Sequence, residues 1–222
     1  LGLAWNRGHN MLQHTWWPRV QPEPDTWNWN YGAHRERMQR HKMHVLGQLF
    51  GTPYWAAAGG ALPRQEGDAA YPYGARPNLE AFRKYVFETV KAFPEIRYWE
   101  VWNEPEVSMF WNGSPEEFAE LCRVGYEAIK AANPKAVVMN AGYTQSAWKW
   151  HEETAKFGAL RHTDALSFHA YYPPDAQPEQ LWEQFQTNTT HFRNLARKYA
   201  GRELPLWDTE GGSGDTTWLR SY

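Results

Sequence analysis

The sequence predicts an α/β fold, a parallel sheet wrapped by helices, on two observations. Six short apolar runs alternate with helical patterns along the 222 residues, and polar and aromatic side chains gather just after each run. A (β/α)₈ barrel and an open doubly wound sheet both place their site at that edge of the strands, so the pattern alone leaves both open. No G-x-G-x-x-G or GxxxxGK[ST] segment is present, which counts against nucleotide binding.

The elements follow in order. A first strand is expected in LGLAWNRGHN (1–10), then a loop rich in Trp and Pro through Asn30. A polar helix over 31–42 leads to the strand HVLGQLF (44–50), and a Gly/Pro/Ala loop fills 51–77. Leu79, Phe82, Val86, Val90 and Phe93 recur on one face of a 3.6-residue period, which predicts a helix over 79–93 capped by Asn78. The strand RYWEVWNE comes next. Ser114-Pro115-Glu116-Glu117 has the form of a capping box with proline in the first turn, so a helix runs from there to about Ala132. Cys122 belongs in its core, with Phe118, Leu121 and Ile129. Strands are expected at 136–142, 165–172 and 204–212, with helices at 147–158 and 178–199. The last of these helices carries Leu181, Trp182, Phe185, Phe192 and Leu195 as one apolar stripe, and 215–222 is expected to open another helix.

Composition narrows the partners. Apolar residues make up 42% and charged residues 22%, a globular balance. The net charge is −2 and the Lys and Arg are scattered, so no basic patch invites nucleic acid. No apolar run approaches the roughly 20 residues of a membrane-spanning helix. The nine His are dispersed, and His34, His41 and His44 fit a solvated helix face better than a metal site. The chain starts at Leu1 without an initiator Met or signal-peptide pattern, so it is expected to begin within a domain. The 14 Trp and 12 Tyr fit sugar-stacking surfaces and protein cores equally well.

One strand is chemically unusual. YWEVWNEPE (98–106) places Glu100, Asn103 and Glu104 in an otherwise apolar segment, and burying carboxylates costs several kcal/mol unless they are partnered. Glu210 ends a different strand, in LWDTEGG. Two carboxylates from separate strands meeting at one rim are what glycosidic hydrolysis requires.

The motifs resemble the clan A glycoside hydrolases. YWEVWNEPE is similar to that clan's acid/base motif, LWDTEGG to its nucleophile motif, and SFHAYYP to the His-x-Tyr of its sixth strand. WNRGHN, WWPRVQPEPDTWNW and LFGTPYWA are similar to the second and third strands with their loops. The resemblance is nearest to family 39 and its relatives, a group including β-xylosidases, α-L-iduronidases and exopolysaccharide hydrolases. It implies a (β/α)₈ TIM barrel, here without counterparts of the first and eighth strands, in one partial catalytic domain over 1–222. It also implies a retaining mechanism without cofactor or metal, on a carbohydrate substrate, with Glu104 as general acid/base and Glu210 as nucleophile. Asn103, Arg7, His9, His169 and Tyr171 would line the cleavage subsite, and Trp55, Trp17 and Trp111 would offer stacking faces. Glu100 shares the parity of Glu104 and is expected to meet an arginine inside the barrel. Two positions depart from the family, with Gln21 and Asp25 standing where it has Glu and Gly. A non-catalytic sugar-binding barrel is the alternative that the aromatic content also fits.

Overall fold

A computed structural model describes residues 4–7, 14–30, 32–63, 74–173 and 175–213. Seven strands alternate with helices: β1 (Trp5–Arg7), α1 (Trp17–Val20), α2 (Gly32–Arg40), β2 (His44–Leu49), α3 (Leu79–Ala92), β3 (Tyr98–Val101), α4 (Pro115–Ala132), β4 (Val137–Met139), β5 (Tyr143–Thr144), α5 (Trp148–Lys156), β6 (Leu166–Tyr172), α6 (Pro178–Ala200) and β7 (Leu206–Ser213). Every pairing between these strands is parallel. The order is β1-β2-β3-β4 in one sheet and β5-β6-β7 in the other, joined by parallel bridges from Met139 to Ala165 and from Asn103 to Gly142. β4 and β5 are thus two halves of one interrupted strand, and six parallel segments form an arc of barrel.

The helices begin where their caps dictate. Asn78 accepts from the backbone N–H groups of Glu80 and Ala81, and Ser114 and Glu117 form a reciprocal capping box. The buried faces of α3 and α4 pack together over the outer side of the sheet, with Phe82, Val86, Val90, Phe118, Leu121 and Ile129 all at 1% exposure or less. Each such side chain stabilises by roughly 1.5–3 kcal/mol. Gly47 of β2 leaves room for the indole of Trp99, since a Cβ there would lie 2.5 Å from that ring. Cys122 is buried in this core. No helix among the described residues is long and apolar enough to cross a membrane.

The inner side of the arc is filled in layers, as barrels are. Trp5, His44, Tyr98 and Trp207 touch ring to ring near the strands' N-terminal ends. Leu46, Met139 and Ala165 form an apolar layer above them. Arg7, Gln48, Glu100 and Thr209 make a polar layer above that. The candidate site lies on top.

The stripe expected along 178–199 holds over half its length. Phe192 and Leu195 are buried, but Trp182 is 59% and Phe185 38% exposed. The expected helix at 215–222, the ends of the first strand and part of the 51–77 loop lie outside the described residues.

Candidate active site

Alternation along β3 turns Tyr98 and Glu100 inward and Trp99 and Val101 toward the helices. It then breaks. Trp102 has φ 80° and Glu104 φ 37°, both in the left-handed region that costs a non-glycine residue of order 1 kcal/mol or more. The break sends the Trp102 ring outward against Phe50, Phe82 and Trp111, while Asn103 and Glu104 stay on the inner rim. On β7 a register shift does the same work. Phe168 pairs with Asp208 and His169 with Glu210, leaving Thr209 extra. Such a bulge re-aims side chains, so Thr209 reaches Glu100 below while Glu210 also faces inward.

Arg7 organises the floor. Its Nε donates to Glu100 Oε2 at 2.7 Å, one terminal nitrogen to Glu210 Oε2 at 2.6 Å, and the other to Asn103 Oδ1 at 2.7 Å. Gln48 Nε2 also donates to Asn103 Oδ1, at 3.1 Å. With both donors on the oxygen, the Asn103 amide is locked with Nδ2 turned away from the floor. Tyr171 donates its hydroxyl to Glu210 Oε1. Burial, then that hydrogen bond, push the Tyr171 phenol well above its ordinary value, so it stays a donor. Burial likewise raises Asp208, beside the site.

His169 is buried with Nδ1 2.7 Å from Glu104 Oε1. Among the described residues its Nε2 has no partner, and it rests over Gly142, where a Cβ would come within 2.0 Å. As the Nδ1–H tautomer, the imidazole donates to Glu104. A carboxylate oxygen of Glu104, a nitrogen of His169 and a carboxylate oxygen of Glu210 all lie within 4.8 Å of one another. That geometry suits two carboxyl groups acting on one bond, and the same three donors could hold a cation.

The structure therefore gathers Glu104, Glu210, Asn103, Arg7, His169 and Tyr171 at one rim. Two of the expected stacking rings are elsewhere. Trp17 has no exposed surface, stacks on Tyr85 at 4.8 Å and donates to Gln21. Trp111 is 4% exposed, edge-on to Trp102 and Phe118. Both are core side chains and present no face to a sugar. Trp55 is half-buried, edge-on to Trp17, and His9 lies outside the described residues. Gln21 is buried, accepting from Trp17 and donating to the Pro24 carbonyl at 2.7 Å. An ionised Glu could not make that second bond, which accounts for an amide here.

Gln48, Thr209 and Gly142 are site-forming residues that motif reading misses. Gln48 had a signal, as a polar residue two positions beyond inward-facing Leu46 in an apolar run. Thr209 had none, because a bulge is invisible to alternation.

The cellulase family model (glycosyl hydrolase family 5) matches residues 72–222. The chain belongs to that family. No curated protein matches it significantly. The fold of this family 5 chain is similar to that of a family 39 β-xylosidase from Caulobacter crescentus, with TM-score 0.70 and 21% identity over 96% of this chain and 47% of that one. A family 39 enzyme from Xanthomonas axonopodis pv. citri is similar at TM-score 0.65 and 19% identity, over 86% and 41%. A family 10 xylanase from Thermobacillus composti follows at TM-score 0.57 and 14% identity, over 95% and 60%. The chain is a clan A glycoside hydrolase barrel, incomplete here, and spans about half the length of the first of these structures.

Proposed function

We propose that the protein is a retaining O-glycoside hydrolase in which Glu104 is the general acid/base and Glu210 the nucleophile, on a single, partial barrel domain over residues 1–222. The observation that carries this reading is the separation of the two carboxylates, with an oxygen of each within 4.8 Å of the other. Retaining enzymes hold the pair about 5–5.5 Å apart, whereas inverting enzymes leave about 6.5–9.5 Å for a water.

The environments support the division of labour. Glu210 accepts from a guanidinium and a phenol, which favours the anion and fixes its aim. Among the described residues, the Glu104 carboxyl has the His169 imidazole as its side-chain partner and no guanidinium. In the first step Glu104 gives its proton to the glycosidic oxygen as the bond to the anomeric carbon breaks. Glu210 forms the new bond to that carbon, giving a glycosyl ester. Water then attacks the same carbon, Glu104 takes its proton, and Glu210 leaves as carboxylate. Asn103 Nδ2 is the donor for the neighbouring sugar hydroxyl.

A β-xyloside is the first substrate to assay, because a family 39 β-xylosidase is among the similar structures. Glu104→Gln and Glu210→Gln are each expected to lower turnover of aryl glycosides by about 10²–10⁴-fold with the fold intact by circular dichroism. NMR of the first-formed product is expected to show the substrate's anomeric configuration. The opposite anomer, or full activity in either variant, rejects the assignment. Activity should survive a chelator; its loss would favour a cation held by Glu104, His169 and Glu210.

A further inference from the structure

Trp148, at the start of α5, is 41% exposed, yet its ring is fixed in place. Its Nε1 donates to the Gln145 carbonyl at 2.8 Å, and His191 of α6 stacks on one face at 4.6 Å and 10°. His191 Nε2 lies 3.4 Å from Nδ1 of buried His151, whose Nε2 lies 3.3 Å from the buried carboxylate of Glu106. Glu106 also accepts from the Thr144 backbone N–H. Burying a carboxylate and an imidazole is unfavourable without partners, and here Glu106 Oε1 and both ring nitrogens of His151 have them. What this chain of partners delivers to the surface is an exposed indole with one face braced by His191.

Trp148 borders a shallow groove of about 450 Å³ whose far wall is α6, through Glu183, Gln186, Thr187, Thr190 and Asn194. Their helical spacing puts all five on one face. Among the described residues, the side chains of Glu183, Gln186, Thr187 and Thr190 make no hydrogen bond or ion pair, so their donors and acceptors are available. The larger groove of about 790 Å³ beside α3 and α4 differs, because Arg76 is paired there with Glu117 and Arg123 with Glu120.

We propose that the Trp148 groove binds a short stretch of a pyranose chain, as a second saccharide site apart from the candidate catalytic cleft. The exposed part of the Trp148 indole would pack against sugar C–H groups, and the carboxylate, amide and hydroxyl groups of α6 would bond ring hydroxyls. An immobile ring loses little entropy on binding, which suits a shallow site.

The test is affinity electrophoresis of the full chain through gels containing soluble xylan or hydroxyethyl cellulose. Titration calorimetry with xylohexaose and cellohexaose accompanies it. Trp148→Ala is expected to weaken binding at least fivefold while leaving hydrolysis of a small aryl glycoside unchanged. The double variant Glu183→Ala/Gln186→Ala, at exposed helical positions that tolerate alanine, should do the same and guards against a folding defect in the first. A wild-type chain that no glycan retards, or variants that bind like wild type, would overturn the proposal. Retardation is read without turnover, so this outcome is independent of whether the catalytic assignment stands.

Discussion

Gly142 decides how close His169 can come to its neighbours. Any side chain there would strike the imidazole, since a Cβ would sit 2.0 Å from Nε2, and the ring would be pushed off its 2.7 Å contact with Glu104. Misplacing a reacting group by about 1 Å can cost on the order of 10² in rate. Gly142→Ala is therefore expected to lower kcat by about 10–100-fold with KM little changed, measured on aryl glycosides beside a circular dichroism control. Tyr171→Phe removes a donor to Glu210. A hydrogen bond to a charged group is worth about 1.5–3 kcal/mol, so kcat should fall roughly tenfold to a hundredfold, with Arg7 still in place. Motifs made Glu104, Asn103, Tyr171 and Glu210 legible from sequence, because each sits in a short string whose residue types have a chemical reason to occur together. The tryptophans were not legible that way. Trp17 and Trp55 lie in similar loop contexts, yet one has no exposed surface and the other is half-buried, a difference set by the arrival of Tyr85 from α3.

At the scale of elements, local chemistry fixes the helix starts and tertiary contacts fix where strands stop. The caps at Asn78 and Ser114 act within a few residues of themselves, which is why α3 and α4 were readable to their first residue. Ser114→Ala should cost about 1 kcal/mol, seen as a fall in Tm of about 2–4 °C. The strand expected at 136–142 instead stops at Met139, with β5 resuming at Tyr143, and the cause is distant. The Asn140 side chain takes over the pairing to β6, with Oδ1 accepting from Ser167 N at 2.8 Å and Nδ2 donating to Ser167 O at 3.1 Å. The α5–α6 contact adds a pH dependence. Burial, then the neighbouring His151, lower His191 from 6.5 to about 4, with Glu152 acting in the opposite direction. The unfolded chain thus takes up the proton first as pH falls. The stabilising effect of neutral His191 is complete above about 6.5 and is lost toward pH 4. Thermal melts between pH 7 and 5 should show a steeper fall in Tm for wild type than for His191→Gln.

Across the whole molecule, one guanidinium connects strands that are far apart in sequence. Arg7 on β1 meets Glu100 and Asn103, 93 and 96 positions away, and Glu210, 203 positions away. Glu100 has no exposed side-chain surface and Thr209 of β7 donates to its other oxygen at 2.9 Å. The buried carboxylate and Arg7 therefore belong to the architecture as much as to the chemistry, since they hold β1, β3 and β7 at the spacing the rim needs. Parity alone placed Glu100 inside the arc; the guanidinium shared with Glu210 follows from curvature, which alternation does not encode. Removing one member of a buried pair strands the other and costs about 3–5 kcal/mol, whereas replacing both with apolar side chains can be nearly neutral. Arg7→Met should thus lower the urea midpoint by an amount equivalent to about 3–5 kcal/mol with an unchanged m-value. Arg7→Met/Glu100→Met should recover much of that loss while remaining catalytically impaired, because Glu210 and Asn103 have still lost the hydrogen bonds of the guanidinium. A double variant as unstable as the single would mean that Arg7 stabilises the fold by packing, and that Glu100 is not the charge it serves.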